Sequence, residues 1–152
     1  MGGSGRTFTI VASLVDTNIL VYRCDPRDPR KREMARVLLR RGLLENSLQI
    51  PHQAVLEFVS VVTRVWPDGH SILPREEAWR QAEELLVEFP VLYPNAQVVR
   101  TALRGMAAYQ LSWFDAHLWA YAEHYGLPEI VSEDFEHGRL YGNVRVRNPF
   151  VV

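Results

Sequence analysis

Ile10-Val11-Ala12-Ser13-Leu14-Val15-Asp16-Thr17-Asn18-Ile19-Leu20-Val21-Tyr22 decides the fold. From Phe8 to Val15 the chain is short, apolar and rich in β-formers, the composition of a strand buried on both faces of a parallel sheet. Asp16 ends that run. Thr17 to Cys24 then reads as a short helix starting where the strand stops. Asp25-Pro26 and Asp28-Pro29 break it.

The same alternation continues downstream. Pro29 to Leu44 has helical periodicity through Met34, Val37, Leu38 and Leu44, and Leu48-Gln49-Ile50 is a short strand. His52 to Trp66 reads as helix, with Val55, Phe58, Val59 and Val62 forming its apolar face, and Pro67-Asp68-Gly69-His70 as a turn. Pro74 opens a helix with Ala78, Ala82, Leu85 and Leu86 inward and Glu76, Glu77, Glu83 and Glu84 outward. After the brief strand Val91-Leu92, Asn95 caps a helix to about Tyr109. Ser112 to Asp115 has capping-box spacing and opens a helix to His124, which ends at Gly126-Leu127-Pro128. Ile130-Val131-Ser132 and Val144-Arg145-Val146 are the last strands. Strands alternating with helices predict an α/β sandwich around a mostly parallel sheet. Residues 1–7, with Gly2-Gly3-Ser4-Gly5, read as a flexible leader or a cloning remnant, and 8–152 as one domain without repeats or linkers.

With 152 residues, 47% of them apolar, the chain has the size and core of one ordinary domain. Its net charge of −1 excludes a polybasic nucleic-acid binder. Cys24 is the only cysteine, so no intramolecular disulfide forms, and a reducing, cytoplasmic setting fits. No apolar run approaches the roughly 20 residues of a membrane helix, and the opening residues lack the apolar core of a signal peptide. Basic residues crowd one segment: Arg23, Arg27, Arg30, Lys31, Arg32, Arg36, Arg40 and Arg41. They make either a phosphate-facing surface or a solvated helix face.

Four acids stand where local patterns mark a strand's end or a helix's opening turns: Asp16, Glu57, Asp115 and Asp134. In open parallel sheets, sites form beyond the carboxyl ends of strands, so all four can share one rim. Crowded carboxylates repel one another unless something positive sits among them. Their expected guest is a hard divalent cation, Mg²⁺ or Mn²⁺.

Val15-Asp16-Thr17-Asn18-Ile19-Leu20-Val21-Tyr22, Val55-Leu56-Glu57-Phe58, Ser112-Trp113-Phe114-Asp115-Ala116, Val131-Ser132-Glu133-Asp134-Phe135-Glu136-His137-Gly138 and Asn148-Pro149-Phe150 occur in order along the chain. In these stretches the chain resembles PIN-domain ribonucleases, most closely the VapC-type toxins of bacterial toxin–antitoxin pairs. The resemblance covers nearly the whole chain. It implies a three-layer α/β/α sandwich and metal-dependent hydrolysis of RNA phosphodiesters. It carries the acidic quartet onto Asp16, Glu57, Asp115 and Asp134, with Asp16, Asp115 and Asp134 as metal ligands, and the small hydroxyl residue before the last acid onto Ser132. It further implies a homodimer and a small cognate antitoxin whose C-terminal segment lies across the toxin. The hydrophilic stretch from Trp66 to Arg75 varies among such proteins, and the reading here gives it a part in the substrate groove.

Each assignment has a plainer alternative. Asp16 and Asp115 are also good helix caps, a role compatible with ligation because a carboxylate has several acceptor sites. Glu57 shares a helix face with Val61 and Arg64, so an ion network with Arg64 competes with a site role; Arg64 is also a candidate for flanking phosphates. Glu133 stands beside Asp134 and competes with it for the fourth place. Asn18 orients Asp16 or holds the local turn. The histidines lack zinc spacing, and Cys24 reads as a small packed hydrophobe. Trp113, Phe114, Trp119, Tyr121 and Tyr125 read as core or dimer surface, with base stacking the lesser alternative. A dehalogenase-type phosphatase wants an acid where Asn18 stands, and a receiver domain wants paired acids and a late lysine, whereas Lys31 is the only lysine. A PIN-like domain that binds RNA or a partner without cutting, and a housekeeping nuclease, stay open beside the toxin reading. The particular RNA, the number of metal ions and the antitoxin's identity are not legible in the chain.

Overall fold

The computed structural model describes residues 11–151. At its centre β1 (Ser13–Val15) is buried at every position. It pairs in parallel with β2 (Leu48–Pro51) on one side and β4 (Glu129–Val131) on the other. β3 (Val91–Leu92) extends the sheet beyond β2, and β6 (Val144–Arg147) extends it beyond β4, both in parallel. β5 (Leu140–Tyr141) closes the far edge antiparallel to β6, giving the order β3-β2-β1-β4-β6-β5.

Alternation along the central strands sends neighbouring residues to opposite faces. Val15 and Val131 pack on one face against α1 (Thr17–Tyr22), α2 (Pro29–Glu45), α3 (His52–Val62) and α4 (Arg75–Glu88). Leu14 and Ile130 pack on the other against α5 (Ala96–Tyr109) and α6 (Trp113–Tyr125). The result is the three-layer α/β/α sandwich, with Phe58 and Leu85 in one apolar core and Trp119 and Tyr121 in the other. Because β1, β2 and β4 are parallel, their carboxyl ends share one edge. Asp16 follows β1, α3 begins directly after β2, and Ser132 follows β4.

The element boundaries depart from the sequence reading in informative places. Phe8 to Ile10 and the leader lie outside the described residues, and Val11 and Ala12 are not strand. The first helix ends at Tyr22 rather than Cys24. α3 ends at Val62, not Trp66: the Thr63 hydroxyl donates back to the Val59 carbonyl at 2.6 Å, and Trp66 precedes a proline, which disfavours helix. Pro74 is the N-cap of α4, one place before the first turn, and Leu86 of that helix faces solvent rather than core. Ser132 lies just past β4 instead of within it. The two-residue strand β5 had no reading of its own; a tight turn at Gly142, with φ +58°, returns it into β6.

The arginine-rich segment is largely engaged in structure. Arg23 pairs with Glu88, Arg27 with Asp25, Lys31 with Glu133 and Arg41 with Glu45, while Arg30 donates to the Phe150 carbonyl. Arg32, Arg36 and Arg40 line a groove with Glu84 and Glu88 of α4.

Candidate active site

Asp16 caps α1, and its carboxylate is nearly enclosed, 6% exposed. The Thr17 backbone N–H donates to Oδ1 at 2.6 Å, and the Ser132 hydroxyl donates to Oδ2 at 2.6 Å. Ser132 Oγ also accepts from the Asp134 backbone N–H at 3.1 Å, so one buried hydroxyl ties the end of β1 to the loop after β4. Asn18 Nδ2 lies 3.4 Å from Asp16 Oδ2 and 3.5 Å from Ser132 Oγ. Across the rim, Thr17 Oγ1 donates to Glu57 Oε2 at 2.9 Å, fastening α3 to α1. The Ser112 hydroxyl accepts from the Asp115 N–H at 3.2 Å, which places Asp115 in the first turn of α6.

Asp16, Glu57, Asp115 and Asp134 all line one open depression of about 360 Å³, with Arg64 and Phe114 on its wall. Burial pushes the Asp16 carboxyl up to about 7; Asp134 and Glu57 push the same way, against the hydrogen bonds from Ser132 and Thr17. Asp115 is raised too, by burial first and by Asp134, against its bond with Ser112. The acids thus feel one another in a chain that runs through Asp134. Among the described residues no three of them are drawn together at the spacing of a ready-made metal cage. Glu57 is turned to Thr17, and Asp134 projects into solvent.

The donor set nevertheless suits a hard cation. Its acidic groups are all carboxylates, and no cysteine or histidine is among the residues that line the depression. Asn18 turns its Nδ2 to Asp16, and its Oδ1 is buried with no hydrogen-bond partner, an acceptor left over next to the acids. A cation there would offset the burial and the neighbouring charges that together raise the Asp16 carboxyl.

The chain's residues 13–143 match the PIN domain family, from the first central strand to the closing hairpin. The chain belongs to the PIN domain family. A toxin–antitoxin complex from Klebsiella pneumoniae contains a similar chain, with 17% identity, TM-score 0.65, and coverage of 93% of this chain and 100% of that one. FitAcB from Neisseria gonorrhoeae is similar at 18% identity and TM-score 0.66 over 92% and 99% of the two chains. VapC20 from Mycobacterium tuberculosis, described as a sarcin-ricin loop cleaving toxin, is similar at 15% identity and TM-score 0.61 over 81% and 90%. A comparison with curated proteins gives no match.

Within this PIN domain, Glu133 is not interchangeable with its neighbour. Lys31 Nζ holds it at 2.8 Å, and the Tyr22 hydroxyl donates to its other oxygen. Asp134 lines the depression and Glu133 does not. Glu57 forms no ion pair with Arg64 among the described residues; Arg64 lies past the end of α3, on the wall of the depression. No residue from Trp66 to Arg75 lines it, which removes that stretch from the acidic site; Leu73 instead packs on the core beside α3. The sequence reading also missed Thr17, Gln53 and Ser60. Gln53, Glu57, Ser60 and Arg64 recur at helical spacing, a stripe that points at the depression until the helix stops. Trp119 and Tyr121 are core, whereas Phe114 and Trp113 stand exposed at the rim.

Proposed function

We propose that this PIN domain is a Mg²⁺- or Mn²⁺-dependent endoribonuclease and the toxin of a toxin–antitoxin pair, acting in the cytoplasm. The observation that carries the reading is the meeting of Asp16, Glu57, Asp115 and Asp134 in one depression at the carboxyl edge of the sheet. The family match and the likeness to chains of toxin–antitoxin complexes support it. That among the described residues no helix is long and apolar enough to cross a membrane is compatible with it.

Asp16, Asp115 and Asp134 would hold the ion. When bound, it supplies Lewis-acid activation of water and neutralises charge on the phosphate. Ser132 and Asn18 fix the Asp16 carboxylate, so the chain needs little rearrangement to present it. Glu57, tethered by Thr17, accepts a hydrogen bond from the attacking water and aligns it with the scissile phosphorus. Arg64 on the wall binds a neighbouring phosphate of the RNA. An antitoxin segment would block the same depression by presenting an arginine to the carboxylates.

The test is cleavage by the purified chain. RNA is cut with Mg²⁺ or Mn²⁺, cutting stops in EDTA, and Zn²⁺ restores it poorly. Asp16→Asn keeps the shape of the side chain, loses cleavage and leaves the circular-dichroism spectrum unchanged. Full activity in chelator, or in Asp16→Asn, overturns the assignment.

A further inference from the structure

A second hollow, of about 380 Å³, opens beside the acidic depression. The two share Gln53, Glu57, Ser60 and Phe114, so whatever lies in one continues into the other. Its apolar walls are Phe114, Trp113 and Leu56. These side chains are 68%, 38% and 60% exposed, a large apolar area to leave in water next to a charged site.

The Trp113 ring and the backbone beneath Phe114 are held in place. The Trp113 ring meets His117 edge-on with centroids 4.2 Å apart, and His117 Nδ1 lies 3.1 Å from the Trp113 carbonyl. Gln53 Nε2 donates to the Phe114 carbonyl at 3.4 Å, linking α3 to the first turn of α6. Polar edges stand among the rings: Gln53, Ser60 and His117 all face the hollow. Exposed aromatic rings with hydrogen-bonding groups at their margin are the chemistry that receives a nucleobase, which has a π-face and a polar edge.

We infer that Phe114 and Trp113 form a stacking platform for an unpaired base of the RNA strand, one that flanks the phosphate bound in the acidic depression. This rests on the ribonuclease reading and adds the side chains of this chain that would hold a base next to the scissile phosphate. Continuity decides for a base over a second copy of the chain. A phosphate at the carboxylates brings its own flanking bases to this hollow, because the hollow shares Gln53, Glu57, Ser60 and Phe114 with the acidic depression. Phe114 and Trp113 act here as positioning residues, outside the carboxylate machinery.

The experiment compares a short single-stranded RNA of mixed sequence with the same strand made abasic throughout, which keeps the charge and loses the π-faces. Binding to the full chain is followed by fluorescence anisotropy in Ca²⁺. The wild-type chain prefers the base-bearing strand by roughly 5- to 100-fold, the span of a stacking contact. Phe114→Leu and Trp113→Leu each lose most of that preference while binding the abasic strand as wild type does. On a cleavable RNA, both raise KM far more than they lower kcat. Equal binding of the two strands by wild type, or a preference unchanged in both variants, overturns the platform. So does sedimentation showing that Phe114→Leu splits a dimer, which gives the hollow to a second copy. Failure of wild type to bind either strand strikes the ribonuclease reading itself, and the platform with it.

Discussion

Ser132 is a single buried hydroxyl that joins two of the four acids: it donates to Asp16 and accepts from the backbone of Asp134. The adjacent Glu133 is turned the other way by Lys31 and Tyr22, while Lys31 also lies 4.9 Å over the Tyr22 ring and 5.3 Å over that of Phe150. The two neighbouring acids therefore face different surroundings. Asp134→Asn lowers kcat by roughly 100-fold or more with little change in stability, as loss of a carboxylate that holds the activating cation does. Glu133→Gln keeps cleavage within a few-fold of wild type and costs about 1 kcal/mol in urea unfolding, the scale of a partly exposed ion pair. The opposite pattern assigns the fourth place to Glu133. The positions of Asp16, Glu57, Asp115 and Asp134 were legible because each is fixed by its own strand end or helix start. The choice between Glu133 and Asp134 was not, because Lys31 lies 102 residues away along the chain.

Contacts between elements decide how firmly that rim is built. α5 and α6 approach so closely at Gly105 that a Cβ there would meet the Trp119 ring at 2.6 Å. Trp119 cannot easily retreat, since its Nε1 donates to the Tyr141 carbonyl at 2.9 Å and its ring packs edge-on against Tyr109. Gly105→Ala therefore costs about 1–3 kcal/mol by overpacking, against about 1 kcal/mol gained in helix propensity. A urea midpoint above wild type would show that the ring can slide. On the other face, Arg27 clasps Asp25 with Nε and Nη2 at 2.9 and 2.8 Å, and its guanidinium covers Trp66 at 4.2 Å. The clasp ties the loop before α2 to the loop after α3, and it holds the Asp25 carboxyl below its ordinary value of 3.8. A carboxyl lowered on folding adds stability that is complete above its unfolded pKa and disappears as pH falls through the folded one. Asp25→Asn thus lowers Tm at neutral pH, and its gap from wild type narrows as pH drops from about 5 to about 3. A gap that is constant across that range removes the charge from the explanation. The alternation of strands with helices around a mostly parallel sheet was legible here, but the strand order and β5 were not. Two residues show no periodicity, and its pairing is set by β6 and the Gly142 turn.

At the scale of the whole molecule, the parallel sheet gathers the carboxyl ends of β1, β2 and β4 at one edge, and the acidic depression opens there to solvent with Asp134 and Phe114 exposed on it. Under the proposed function, a depression so placed is open to RNA. A ribonuclease with that access is harmful to the cell that makes it unless a second molecule covers the site. The groove between α2 and α4 carries Arg32, Arg36 and Arg40 without ion pairs among the described residues. Induced alone in bacteria, the chain arrests growth, and total RNA from the arrested cells carries new cleavage ends. Asp16→Asn induced to the same level does neither. Co-expression with a small protein encoded beside it relieves the arrest by forming a complex recoverable by size-exclusion chromatography. Arrest by Asp16→Asn equal to that by wild type would separate the toxicity from the carboxylates. If instead both chains are harmless at high levels, the toxin reading fails and a housekeeping nuclease accounts better for the same depression.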